Sequence, residues 1–250
     1  MVDIQTLNGD SVHDMTRTQS GDILLTIRNN NSTDDYMLAH TGLQPLLSVA
    51  PLFPHGIHVT QHNNIVLGDI EQNNDMNAIF NLTEASQRKE IIFGMDRLQW
   101  QTYEFDRHKH RLFTVPTRDT SNINNDLLVI DMFSKTQGRV VVLNREGHVK
   151  WTYHGNPEVN EEECSLNPMD IVTTSAGHVI VADLRTHALH VLSSEGDQLA
   201  CRVMADQGIR FPMSLDIDTR GQLWIGSVCD NGIIQFDRRD AKLHIVRLPL

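Results

Sequence analysis

The stretch Pro168-Met-Asp-Ile-Val-Thr-Thr-Ser-Ala-Gly177-His-Val-Ile-Val-Ala-Asp183-Leu-Arg-Thr-His187-Ala-Leu-His-Val-Leu192-Ser-Ser-Glu-Gly-Asp197 decides the fold. It holds three short β-type runs, around Ile171-Val172, over Val179 to Ala182, and around Leu189 to Val191. Turn residues separate them: Ser175-Ala176-Gly177, Arg185-Thr186-His187 and Ser194-Glu195-Gly196-Asp197. Short β-branched runs with such punctuation read as antiparallel hairpins. The pattern returns downstream, where Pro212 follows Pro168 by 44 residues and Gly221 follows Gly177 by the same 44. A repeat of roughly 40–45 residues with about four strands is the signature of a β-propeller blade.

Working outward, the same nine-residue step from the opening of a unit to its first turn recurs three more times. It runs from Val12 to Gly21, from Pro54 to Asn63 and from Pro116 to Asn125. Asn stands for Gly in the last two, as its tolerance of positive φ allows. In the third unit the apolar residues expected between Pro116 and Asn125 are weak. The reading is all-β: one propeller domain over 1–250, with repeats at about 12–52, 53–111, 112–155, 168–206 and 211–250. Five four-stranded blades are visible, and the ring has five blades or an incomplete six. Ala78 to Leu82 is expected to be the third strand of the second repeat, with Asn81 to Glu90 the nearest thing to a helix. Val2 to Leu7 reads as a strand left over from another blade or one that closes onto the last.

Composition bounds the function. Hydrophobic residues make up 40% of the chain, enough for a packed core. The net charge of −11 disfavours broad attraction to RNA or to an anionic membrane. Three cysteines, Cys164, Cys201 and Cys229, include no C-x-x-C pair, which points to a reducing, cytoplasmic setting and no structural zinc. The start at Met1 shows no signal peptide, and no apolar run approaches a membrane span.

The opening Pro-x-Asp-Ile, the Gly nine residues on, the Val-Ile-Val-Ala-Asp strand and the Ser-Ser-Glu-Gly turn resemble NHL repeats. Gly138 to Tyr153, Asp170 to Ala182, Ser214 to Gly226 and Asp240 to Val246 are similar to the C-terminal propeller of tripartite-motif-like proteins of the kind expanded in bivalve molluscs. That resemblance implies an NHL-type β-propeller that selects substrates for a RING-type E3 ubiquitin ligase. The chain departs from it in lacking the Cys and His of a RING or B-box.

The expectation from sequence is therefore a recognition module, not an enzyme, with no cofactor, no catalytic residue and no metal site. It binds a protein partner through the loops that follow second strands and enter first strands. Those loops carry Arg28, Phe53, Phe133, Lys135, Arg185, His187, Arg210, Phe211 and Asn231. Arg and aromatic side chains are the usual interface anchors, although Phe53 and Phe211 equally suit plugs between blades. Two alternatives stay open. One is RNA binding. The other is a calcium-dependent lactonase-like hydrolase, for which Asp69, Asp131 and Asp183 recur at one blade position. His55, His58 and His62 resemble a metal cluster, but strand geometry points neighbours three apart to opposite faces. Arg107 to Arg111 reads as a solvated turn.

Overall fold

A computed structural model describes residues 11–28, 34–39, 42–71, 78–228 and 241–247. The chain is a β-propeller built of four-stranded antiparallel blades. The first blade comprises β1 (Ser11–Arg17), β2 (Ile23–Arg28), β3 (Asp34–Ala39) and β4 (Gly42–Ser48). The second comprises β5 (Leu52–Val59), β6 (Ile65–Glu71), β7 (Arg88–Phe93) and β8 (Gln99–Tyr103). The third has β9 (Pro116–Ser121), β10 (Leu127–Ser134), β11 (Gln137–Leu143) and β12 (Val149–Tyr153). The fourth has β13 (Pro168–Thr173), β14 (Val179–Asp183), β15 (Ala188–Leu192) and β16 (Gln198–Val203). The fifth shows β17 (Pro212–Ile217), β18 (Gln222–Val228) and β19 (Ala241–Arg247) among the described residues. The strands divide between two compact units, Met1–Asp119 and Thr120–Leu250, with β9 at the division.

One turn device joins the strands. A side-chain oxygen at the first turn residue accepts the amide four positions on, as Thr18 does for Asp22, Thr60 for Asn64, Asn122 for Asp126, Asn144 for His148, Thr174 for His178 and Asp218 for Gln222. The fourth position of the turn takes a left-handed φ. Gly177 (84°) and Gly221 (74°) adopt it freely, and Asn63 (61°) and Asn125 (58°) replace glycine there, as their side chains permit. The Arg107–Arg111 segment is such a turn, with the Asp106 carboxylate accepting the amides of His108 and His110.

The opening strands of the first, second, fourth and fifth blades carry a second device. The register slips by one residue between Val12 and Asp14, Pro54 and Gly56, Pro168 and Asp170, and Pro212 and Ser214. This β-bulge bends the strand and re-aims the residues beside it.

The core follows the repeat. In the first unit Leu24 packs with Ile57, Ile65 and Leu67. In the second, Ile180, Ala182 and Leu189 pack with Leu215, Leu223 and Ile225. In each unit, then, one blade buries a face against the front of the next: the first against the second, and the fourth against the fifth. The third strand of the second blade is β7, not Ala78 to Leu82, which corrects the expectation from sequence. Ala78–Phe80 is a 3-10 turn whose Ile79 is buried, and its carbonyl accepts Nη2 of the buried Arg88 at 2.7 Å. Arg88 also pairs with Glu71. The polar run Thr117 to Ser121 is strand β9 despite its composition, because the neighbouring strand β10 is wholly apolar from Leu127 to Ile130 and draws it into the sheet.

Candidate functional site

The site emerges where the repeat is broken. Three residues after the opening residue of a blade, the chain places Ile57, Ile171 and Leu215, all buried. The third blade places Asp119 there, on β9, equally buried at 8% exposure. Neither Asp119 carboxylate oxygen has a hydrogen-bond partner among the described residues. An unpaired buried carboxylate is costly, so it needs an explanation.

Asp119 points at Gly56 of β5. A Cβ added at Gly56 collides with its Oδ1 and lies 3.3 Å from its Cγ and 3.4 Å from the Arg118 Cα. Glycine is required at residue 56 by this close approach.

The second carboxylate of the site is Asp14, on β1. Its Oδ1 accepts the Met15 amide at 2.9 Å and its Oδ2 accepts the Ile57 amide of β5 at 3.1 Å. That pair of bonds is architectural. Asp170 makes the same two, to the amides of Ile171 and Leu215, at 2.8 and 2.7 Å. What the first unit adds is the neighbourhood. Arg118 Nε lies 3.7 Å from Asp14 Oδ1, while its Nη2 donates to the His13 carbonyl at 3.0 Å. His13, Phe53 and His55 form a ring of edge-to-face contacts with centroids 5.2 to 5.5 Å apart. His13 and His55 are the bulge residues of their strands, so both rings are re-aimed by the same backbone device.

The electrostatics separate the two carboxyls. Burial pushes the Asp14 carboxyl up, against Arg118 and the amides of Ile57 and Met15. Burial first, and then the charge of Asp14, push Asp119 well above the usual carboxylate range, with Arg118 pulling the other way. Two acids that share a site cannot both ionise cheaply, and the one with no hydrogen-bond donors keeps the proton. Asp119 is that acid, and Asp14 the carboxylate.

The residues that sequence put forward for binding fall in several places. Phe53 belongs to the cluster beside Asp14 and is buried there. Arg28 ends β2 opposite Ser11. Phe133 lies under the Arg139 guanidinium, 5.1 Å from its ring centre, and Arg139 in turn binds Asp131 at 2.9 Å. Lys135 and Arg185 are exposed in turns, and Arg210 is exposed just before Phe211. His187 and Phe211 come together, with ring centroids 4.4 Å apart and the Phe211 amide donating to His187 Nδ1 at 3.1 Å. Asn231 lies outside the described residues.

Among the described residues, no group of three or more His, Cys, Asp or Glu side chains is placed to hold a metal ion. Asp131 is committed to Arg139, and Asp183 accepts bonds from Asn160, Thr186 and the amides of Asn167 and Arg185. His58 is neutral at ordinary pH, since burial pulls it down to about 4. Asp14, Arg118 and Asp119 were not singled out from sequence. The signal was present as the missing apolar residue after Pro116.

No family model matches the chain, and no curated protein matches it. Solved structures do. Virginiamycin B lyase from Staphylococcus aureus is 13% identical with a TM-score of 0.58, covering 95% of this chain and 71% of that one. A luciferin-regenerating enzyme is 12% identical with a TM-score of 0.61, over 94% and 76%. A provisionally assigned gluconolactonase is 14% identical with a TM-score of 0.58, over 84% and 69%. At such identities the likeness establishes the propeller fold. It corrects the expectation that the chain is not an enzyme, because the fold it shares is one that enzymes use. None of these comparisons carries the NHL or tripartite-motif link.

No helix among the described residues is long and apolar enough to cross a membrane.

Proposed function

We propose that this chain is a catalytic propeller that hydrolyses a small cyclic or activated ester, with Asp14 as general base and Asp119 as the buried acid that tunes it. The observation that carries the reading is Asp119, a buried carboxylate without a hydrogen-bond partner among the described residues, at a position that the second, fourth and fifth blades fill with Ile57, Ile171 and Leu215. Likeness of fold to a provisionally assigned gluconolactonase supports the substrate class.

The Asp14 carboxyl retains some exposure and is the one that water and substrate reach. Its oxygens already accept two amides, which fix its orientation and leave lone pairs free. Asp14 takes a proton from water as the oxygen adds to the ester carbonyl carbon. The carbon–alkoxy bond then breaks, and Asp14 returns the proton to the leaving alkoxide. A raised carboxyl pKa makes this base stronger near neutral pH. Protonated Asp119 keeps a second charge out of the site and offers an O–H donor that has no partner among the described residues, which leucine cannot supply.

Calcium does not fit the pair. That ion takes roughly six to eight oxygen ligands, whereas this pair offers one carboxylate beside a protonated acid, with the Arg118 guanidinium 3.7 Å from Asp14. No step is assigned to it, and calcium or a chelator is expected to leave the melting temperature unmoved.

The test is proton release, followed with a pH indicator, from a panel of γ- and δ-lactones and activated esters. Wild type is expected to turn over at least one, Asp14→Asn to lose activity at least about a hundredfold, and Asp119→Leu to lose most of it while staying folded. No turnover by wild type, or full turnover by both variants, overturns the reading.

A further inference from the structure

Where the third and fourth blades meet, inside the second unit, lies a group of ionisable side chains that the catalytic reading does not use. His190, on β15, is fully buried. Its Nδ1 meets the Tyr153 hydroxyl of β12 at 2.9 Å, and that hydroxyl donates to Gln198 Oε1 at 3.1 Å. Its Nε2 stands 3.4 Å from Asp183 Oδ2 and makes no hydrogen bond among the described residues. Asp183 is fixed behind the ring by Asn160, Thr186 and the amides of Asn167 and Arg185.

A nucleophile completes the group. His190 pairs directly with Cys201 of β16, so both side chains project from the same face of the fourth blade, the one that Tyr153 meets. The Cβ atoms of such a pair lie roughly 4.5–5.5 Å apart, which brings the thiol beside the imidazole. The ring registers the contact: burial pulls His190 down, but Asp183 and then Cys201 outweigh it and hold it up at about 9. Cys201 is a free, half-buried thiol on the outermost strand of its blade, with Ala200 and Arg202 exposed on either side. Cys164 is also free and half-buried, but it follows Glu161, Glu162 and Glu163.

We propose that Cys201 is a modification site, a nucleophilic thiol that peroxide oxidises to the sulfenic acid, with the His190 imidazolium steadying the negative charge on its sulfur. Reactive cysteines are partly exposed and sit beside a cation such as a protonated histidine, and Cys201 meets both conditions. In the step, the sulfur attacks one oxygen of hydrogen peroxide and the O–O bond breaks. Sulfur is oxidised to S–OH, and the departing hydroxide takes the thiol's proton and leaves as water. Two equivalents of a small thiol restore the cysteine through a mixed disulfide. Asp183 and Tyr153 act through His190 and are positioning residues. The inference uses none of the residues of the catalytic reading.

The test adds hydrogen peroxide to the full chain with dimedone, which traps sulfenic acid, and follows the digest by mass spectrometry. Cys201 is expected to be trapped at least about tenfold faster than Cys164 in the same sample. His190→Gln is expected to remove most of that advantage, with circular dichroism checking the fold. A second readout answers to charge: the ratio of alkylation rates with iodoacetate, an anion, and with iodoacetamide, its neutral counterpart. A change in packing alters both rates together, whereas the imidazolium raises the ratio. The ratio is expected to be higher at Cys201 than at Cys164, and to fall in His190→Gln. Both wild-type comparisons stand whether or not the variant folds. Cys201 trapped no faster than Cys164 overturns the inference, as does a ratio no higher at Cys201, or a folded His190→Gln chain that keeps the wild-type rate.

Discussion

Raising the pH from 6.5 to 9.5 is expected to destabilise the fourth blade through His190, which is fully buried. Its Nδ1 lies 2.9 Å from the Tyr153 hydroxyl, and that hydroxyl donates to Gln198 Oε1 at 3.1 Å. The hydroxyl proton is therefore spent, and Nδ1 must itself carry a proton to bond the oxygen. Nε2 faces Asp183 Oδ2 at 3.4 Å, which asks for a proton there too. The two contacts together favour the imidazolium. Burial alone drives it down, but its interactions with Asp183 and Cys201 outweigh that and hold it up at about 9 against an ordinary value of 6.5. A raised folded-state pKa means the native state binds the proton more tightly. The stabilisation is complete below pH 6.5 and is lost as pH rises through 9. At about 1.4 kcal/mol per unit, the loss is on the order of 3 kcal/mol. The lowered pKa of Asp183 is the same interaction seen from its partner and is not added. Urea unfolding followed by tryptophan fluorescence at intervals of half a pH unit measures it, with His190→Gln as the control that removes the titrating group. The difference in stability between the two proteins is expected to shrink by most of that amount over the window. A difference that stays flat from pH 6.5 to 9.5 refutes the imidazolium.

Further expectations follow from the first strands. Gly56→Ala drives a methyl group into Asp119 and is expected to cost roughly 1–3 kcal/mol. Asp119→Ala should relieve most of that in the double variant, and a thermodynamic cycle by chemical denaturation reads the coupling directly. Asp170→Ala removes the acceptor for the Ile171 and Leu215 amides, leaving two donors unpaired between β13 and β17. A loss of about 2–3 kcal/mol in urea unfolding is expected, and a change under half a kcal/mol contradicts the role given to that carboxylate.

Much of the fold was legible because it is written in local chemistry. Pro168 and Pro212, with Gly177 and Gly221, move together, and each turn glycine answers to a left-handed φ. Asn63 and Asn125 were readable as glycine substitutes for the same reason. The third strand of the second blade was not. Ile79 and Phe80 are apolar enough to pass for strand, and only the long-range bond from Arg88 to the Ile79 carbonyl shows that they plug the core as a turn. The site was half visible. The lack of an aliphatic residue after Pro116 was apparent in the letters, but its meaning depended on which residues share the inner position. That position is set by a one-residue bulge, which moves every side chain beyond it and leaves no mark in composition. Loops drew attention instead, because Arg and aromatic residues are conspicuous there, and the structure scatters those residues among several separate contacts.

The measurement that bears most directly on the account is the paired stability and activity of Asp119→Leu, which installs the kind of residue that the second, fourth and fifth blades carry there. If Asp119 serves catalysis, removing an unpaired buried carboxylate makes the protein more stable by about 1–3 kcal/mol while ester or lactone turnover collapses. A variant that gains stability and keeps full turnover, or one that loses stability, contradicts the assignment.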